Sequence, residues 1–237
     1  MNDIGPIEIL RRFEERDLSL ITQIDFNCCV LNENVFKKLK CCKNLKVLSI
    51  TDCSINGEWL SHLEELTYLQ QLFISEIKVS KEFFKFLLKF EKLTELYLNN
   101  IKSVNEKFID FSRLQNLTTL HIVDTEITNN ELEQLSKLQK LEYVSLTRTN
   151  MHGKALSNIN AKELYILDGK LSNEDIYNLS KLHNLQILRI DDTKITYGGF
   201  QLLLNALNLK KFCSNTITTN ELHDLEGKYK NTKIIKY

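Results

Sequence analysis

One pattern of apolar residues recurs along this chain with its first position at Ile21, Leu45, Leu69, Leu93, Leu117, Leu141, Ala161, Leu185 and Leu209. Subtracting successive positions gives a spacing of 24 residues at every step but one, where it is 20. A fixed period of this length, sustained over most of a sequence, is the signature of a stacked repeat. Within one copy, "NLTTLHIVDTEITNNELEQLSKLQ" at 116–139, the first half alternates apolar and polar residues and the second half places leucines three apart. The first periodicity belongs to a strand and the second to one face of a helix. Neither half buries its apolar side alone, but stacked copies share one continuous core. Strands repeated in this way run parallel, and parallel strands need a crossover, which the helical half supplies. The expected fold class is therefore α/β: a right-handed solenoid with a curved parallel sheet on its concave face and helices on its convex face.

Leu117, Leu120, Ile122, Thr125 and Ile127 spell the unit L-x-x-L-x-I-x-x-T-x-I, and "NLQILRIDDTKITYGGFQLLLNAL" at 184–207 is its cleanest copy. In these residues the chain resembles the leucine-rich repeat family from about residue 19 to its end. The place after the third apolar residue, where that family carries Asn or Cys, holds Cys29, Cys53, Ile77, Ile101, Thr125, Thr149, Gly169 and Thr193. The unit is thus similar to the cysteine-containing subclass and its Thr-bearing relatives. The resemblance implies a ladder of side-chain hydrogen bonds at that place, interrupted at Ile77, Ile101 and Gly169.

Local signals fill in the unit. Thr128/Glu131 and Thr218/Glu221 have the spacing of a capping box, as has Ser103/Glu106, and Ser172/Asp175 is an acidic version of it. Leu132, Leu135 and Leu138 share a helix face that packs beneath the sheet. Residues 1–18 are expected to form an N-terminal cap in which Ile7, Leu10 and Phe13 cover the first unit. Residues 19–237 form the repeat domain, of about nine units. The last unit is irregular and ends in "TKIIKY", an edge strand guarded by Lys233 and Lys236. In the short unit, 141–160, an irregular turn and a change of curvature are expected in place of part of the helix.

Charge and cysteine usage narrow the function. Lys plus Arg equals Asp plus Glu, 31 each, so there is no basic excess of the kind that nonspecific nucleic-acid or membrane-surface binding requires. "MNDIGPIEILRRFEERDLSL" has no apolar run of signal length, and nothing approaches the ~20 apolar residues of a membrane span. The six cysteines, two pairs and two singles, have no disulfide-framework spacing. A reducing, cytoplasmic setting and a monomer are expected. The pairs in "CCVLNENVFKKLKCC" point in diverging directions by register, so no zinc site is expected from them. Cys29 and Cys53 are instead expected to stack as buried thiols. No nucleophile with a base and an orienting group stands near His121, and neither enzymatic activity nor a cofactor is expected. Gly198-Gly199 lacks a phosphate-loop spacing and reads as structural, and Trp59 as packed.

What remains is a surface. Side chains between the inward apolar positions point to the concave face, and the central row reads Asp25, Ser49, Phe73, Tyr97, His121, Ser145, Tyr165, Arg189 and Cys213. Phe73, Tyr97 and His121 are neighbours by register. They either only cover one another or form a contact surface, since aromatics are enriched at interface centres. The flanking rows carry Asp124, Asp168, Asp191 and Asp192, and the three rows together hold seven acids and two bases. Those acids are either a solvated strand-end edge or a charged rim that steers a basic partner. The expected function is a non-enzymatic scaffold binding a partner protein through Phe73, Tyr97, His121, Tyr165 and Arg189, with Asp124, Asp168, Asp191 and Asp192 as rim. Two alternatives stand beside it. "GPIEILRRFEERDLSLI" looks faintly like the start of an F-box, which implies a substrate-recruiting adaptor of a ubiquitin ligase; the other is a pathogen effector, secreted by a route the sequence does not mark, that occupies a host protein.

Overall fold

Strands and outer segments alternate throughout the computed structural model of the chain, which describes residues 6–79, 81–103, 110–157 and 159–237. Two compact units emerge, Met1–Leu117 and Thr118–Tyr237.

In the first unit helix α1 (Pro6–Glu14) precedes strand β1 (Gln23–Asn27), helix α2 (Glu33–Leu39) and strands β2 (Val47–Thr51) and β3 (Gln71–Ser75). The short strand β4 (Lys78–Val79), helix α3 (Lys81–Leu87), strand β5 (Glu95–Asn99) and the short strand β6 (Lys102–Ser103) follow. Strands β1, β2, β3 and β5 lie side by side and parallel, in register Asp25↔Ser49↔Phe73↔Tyr97. β4 and β6 form a separate parallel pair. Residues 57–65 cross over as a 3₁₀ helix capped by Asn56, whose side chain accepts from the Glu58 N–H. Gly57 opens it because a Cβ there would lie 2.3 Å from the Lys78 carbonyl oxygen.

The second unit holds β7 (Thr119–Val123), α4 (Asn129–Glu133), β8 (Tyr143–Thr147), β9 (Glu163–Leu167), α5 (Ile176–Leu179), β10 (Ile187–Asp191), α6 (Tyr197–Ala206), β11 (Lys211–Ser214), α7 (Thr219–Lys228) and β12 (Lys233–Lys236). Strands β7 through β12 are neighbours in chain order, all parallel, with His121↔Ser145↔Tyr165↔Arg189↔Cys213↔Ile235 in one row. The expected capping boxes at Thr128/Glu131, Ser172/Asp175 and Thr218/Glu221 are present. The one expected at Ser103/Glu106 lies outside the described residues. In the short unit the crossover shrinks to a 3₁₀ turn, Gly153–Leu156. There the Gly153 N–H donates to the buried Asp175 carboxylate at 2.8 Å, an approach that a Cβ would block.

The inward strand positions are sealed: Leu48, Ile50, Leu72, Ile74, Leu96, Leu98, Leu120, Ile122, Val144, Leu146, Leu164, Ile166, Leu188 and Ile190 have no exposed surface. Leu132, Leu135 and Leu138 of the second unit are likewise buried. Burying side chains of this size contributes ~1.5–3 kcal/mol each, which is what holds short strands and one- to three-turn helices in place.

Three expectations are corrected. In α1 the buried residues are Ile9 and Phe13, while Ile7 is 83 % exposed; the helix is rotated so that Glu8, Arg11, Arg12 and Glu15 form ion pairs along its outer face. The crossovers are shorter and more often 3₁₀ than the leucine spacing predicts, because 3₁₀ winding spans the same distance with fewer residues. The side-chain ladder is also less regular. The Cys29 N–H donates to Cys53 Sγ at 3.4 Å, and Thr125 donates to the Val123 carbonyl at 2.9 Å. The hydroxyls of Thr149 and Thr193 are buried without a hydrogen-bond partner among the described residues.

Candidate functional site

The repeat strands of each unit have one face on the core and one turned away from it. On the outward face of the first unit, the Phe73 and Tyr97 rings lie 6.3 Å apart between centroids, tilted by 39°, both half-buried. On the outward face of the second unit, His121 and Tyr165 are two strands apart, with Ser145 between them. Sequence reasoning missed what fills that gap. Tyr143 starts β8 two residues before Ser145, and its ring packs 4.8 Å from His121 and 5.0 Å from Tyr165. Ser145 is small enough to leave room for it and is itself buried. A serine in a row of aromatics with a tyrosine two residues upstream was the available signal.

The environment acts on these groups. Burial holds the His121 imidazole below its ordinary pKa, so it favours the neutral form. Burial also raises Tyr143, and it pushes Tyr165 to about 12 with help from the Glu163 carboxylate, to which the Tyr165 hydroxyl donates at 3.3 Å.

Arg189 is next in the row. Its Nε donates to Asp191 Oδ2 at 2.6 Å, and its guanidinium lies 4.2 Å from the centre of the Tyr237 ring. Asp191 was expected on the exposed rim. It is 3 % exposed, because it also accepts the Asn215 N–H at 2.8 Å, so it is an internal anchor for Arg189 rather than a free charge. Cys213, read by register as outward-facing, is fully buried, and burial raises its thiol pKa.

The remaining acids sit on a special backbone. Cys28, Asp52, Glu76, Asn100, Asp124, Arg148, Asp168 and Asp192, one in each repeat before the last, have φ between 46° and 61°. Each terminates a strand by turning left-handed, a conformation that Asn and Asp adopt more readily than other residues with a side chain. The turn keeps the main chain paired: the Glu76 N–H donates to the Asn99 carbonyl at 2.9 Å, and the Arg148 N–H to the Leu167 carbonyl at 2.9 Å. Part of the acid excess therefore answers a conformational demand. The charge is also partly spent, since the Arg148 guanidinium grips both oxygens of Asp124 and holds that carboxyl below its usual range. Asp192 exchanges hydrogen bonds with Asn215 at 3.0 and 2.9 Å. The side chain of Asp168 is exposed and makes no ion pair among the described residues.

The cysteine pairs divide by side, with Cys28 and Cys41 exposed and Cys29 and Cys42 buried. Burial pushes Cys42 and Cys53 up to about 11. No described helix is long and apolar enough to cross a membrane.

No protein-family model matches the sequence, and no curated protein matches it. Solved structures do. An internalin (inlF) of Listeria monocytogenes is similar over 96 % of this chain and 73 % of its own, at 17 % identity and a TM-score of 0.58. An internalin C2 (inlC2) of the same organism is similar over 83 % and 82 %, at 23 % identity and a TM-score of 0.58. The plant peptide hormone receptor RGFR1, solved in complex with RGF2, is similar over 91 % of this chain but only 36 % of its own, at 17 % identity and a TM-score of 0.57. At these identities the likeness establishes the fold alone, and that fold is the leucine-rich-repeat solenoid.

Proposed function

We propose that this chain is a non-enzymatic scaffold that binds a partner protein on the outward sheet face of its second unit. The observation that carries the reading is the run His121–Tyr143–Tyr165, three half-buried rings packed in series outside a core that is already sealed. A fold needs no such run for its own burial, whereas rigid aromatic clusters of this kind are what interface centres are made of. Arg189, fixed by Asp191 and Tyr237, extends the anchor at one side. Glu163 on the strand of Tyr165, Asp168 just past that strand's end and Asp192 just past the end of β10 favour a partner with a basic surface, and their attraction would act more on encounter and orientation than on affinity. Asp124 is committed to Arg148 and contributes less. The Phe73–Tyr97 pair of the first unit is a further contact in this reading. A neighbour of the same fold was solved in complex with RGF2, which is consistent with a recognition role. Six cysteines that form no disulfide fit a reducing compartment, and the scaffold is taken to act as a monomer.

The test is affinity capture with wild type, Tyr165→Ala and, as control, Glu126→Ala. Expected is a partner that the control retains and Tyr165→Ala loses, with both variants folded and Tyr165→Ala destabilised by no more than the ~0.5–1.5 kcal/mol of its one ring contact. A partner held equally by folded Tyr165→Ala moves the binding site off this face.

A further inference from the structure

The two strands at the ends of the chain treat their outer edges differently. β12 carries Lys233 and Lys236, both exposed, the charges that keep a sheet edge from pairing with another chain. β1, Gln23-Ile24-Asp25-Phe26-Asn27, carries neither lysine nor proline. Its pairing with β2 uses one side of the strand: the Val47 N–H donates to the Thr22 carbonyl and the Cys28 N–H to the Thr51 carbonyl, so Thr22, Ile24, Phe26 and Cys28 face β2. By the alternation of a parallel ladder, the N–H and C=O of Gln23 and Asp25 and the N–H of Asn27 point the other way. Among the described residues no strand pairs with that side.

A second feature lies against the same edge. Between α1 and β1 runs a cavity of about 240 Å³ whose lining includes the apolar Ile9, Phe13, Ile24 and Phe26 and three charged residues, Arg12, Arg16 and Asp25. Arg12 is held by Glu8, but Arg16 is exposed and forms no ion pair among the described residues. Leu20, 77 % exposed, stands just ahead of the strand.

We propose that the outer edge of β1 accepts an extended segment of a partner protein, paired main chain to main chain, with an apolar side chain in the cavity and an acidic one against Arg16. The unpaired N–H and C=O groups select an extended backbone, the cavity selects an apolar residue, and Arg16 sets the charge. A second copy of this chain is the weaker fit: antiparallel self-pairing about the middle of β1 puts Asp25 opposite its own duplicate. The inference is independent of the sheet-face reading and concerns a different unit.

The experiment uses the full chain, isotope-labelled, and two synthetic peptides that alternate valine with a charged residue, glutamate in one and lysine in the other. The glutamate peptide is expected to slow amide exchange at Gln23, Asp25 and Asn27, and the lysine peptide to bind about tenfold more weakly or worse, since like charge meets Arg16. Asp25→Pro removes an outward N–H without touching the bonds to β2, so it should keep the fold and lose the peptide. Arg16→Glu should reverse the charge preference. The proposal is overturned if neither peptide changes these amides or if Asp25→Pro binds as wild type does. It is also overturned if the amides are protected in the free chain, whether by concentration-dependent self-association or by residues 1–5, which a chain starting at residue 6 would reveal.

Discussion

The outward strand faces of the two units begin from the same repeat and end differently. In the first unit two large rings, Phe73 and Tyr97, occupy adjacent strands at 6.3 Å, and the residues two places upstream on those strands are Gln71 and Glu95, so neither strand supplies a second ring from the next row. In the second unit the central row is interrupted by Ser145, and Tyr143 leans into the vacancy to join His121 and Tyr165 at 4.8 and 5.0 Å. A small residue in the row builds the tighter cluster, because it lets a ring from the next row lie down. Side-chain size on a sheet face is therefore best judged across rows as well as along them.

The comparison breaks first if the outward face is not outward. Leu120→Ala in the second unit and Leu96→Ala in the first each empty a sealed position and should cost ~2–5 kcal/mol in urea unfolding. Tyr97→Ala, one residue away from Leu96, should cost less than ~1 kcal/mol. Equal losses at Leu96 and Tyr97 would mean that the strand presents its faces the other way round. Next in size is Asp191→Ala, expected to cost ~1.5–3 kcal/mol, since it strips a charged hydrogen bond from Arg189 and an acceptor from the Asn215 N–H. A loss within measurement error there would return Asp191 to the solvated rim. The contrast itself is sharpest between Tyr143→Ala and Tyr97→Ala. Tyr143 touches two rings, each worth ~0.5–1.5 kcal/mol beyond burial, so its removal should cost ~1–3 kcal/mol and exceed the loss at Tyr97. Matching melts for the two variants would dissolve the distinction between the faces.

The smallest effect is a pH dependence confined to the second unit. His121 has its folded pKa lowered by burial, so the unfolded chain takes up the proton first. Stability from this site is complete above the unfolded value of about 6.5 and declines as the pH falls through that value toward the folded one. Replacing the ring by His121→Phe should flatten the stability–pH curve in that window. Stability that rises on acidification through the same window would contradict a neutral, buried imidazole.

Much of this was legible in the sequence because the repeat reports itself many times over. The period located each strand, and row partners such as Phe73↔Tyr97 and Tyr165↔Arg189 follow from subtraction. Parallel register is fixed by a core in which a slip of one residue would turn every leucine outward. Tyr143 was missed for the converse reason. Its ring position depends on the space above Ser145, a matter of neighbouring volumes rather than of period. Asp191 was misplaced because its burial comes from Asn215 and Arg189 on either side, which no single repeat contains. The exposure of Ile7 shows the same limit in α1, which lies outside the repeat, so the period does not say which of its faces carries the buried Ile9 and Phe13.

The left-handed residue at the end of a strand has a consequence for how such a surface can change. Eight positions, from Cys28 to Asp192, project from the strand ends, where variation reshapes a contact surface without disturbing the core. Yet none of the eight is valine, isoleucine or threonine, since a branched Cβ is poorly tolerated at positive φ. Their usable alphabet is short and mostly polar: aspartate, asparagine, glycine and flexible unbranched chains. Diversification along that row can trade charge and hydrogen bonding freely but adds little apolar contact, so a new apolar partner has to be met by the rows one and three residues upstream.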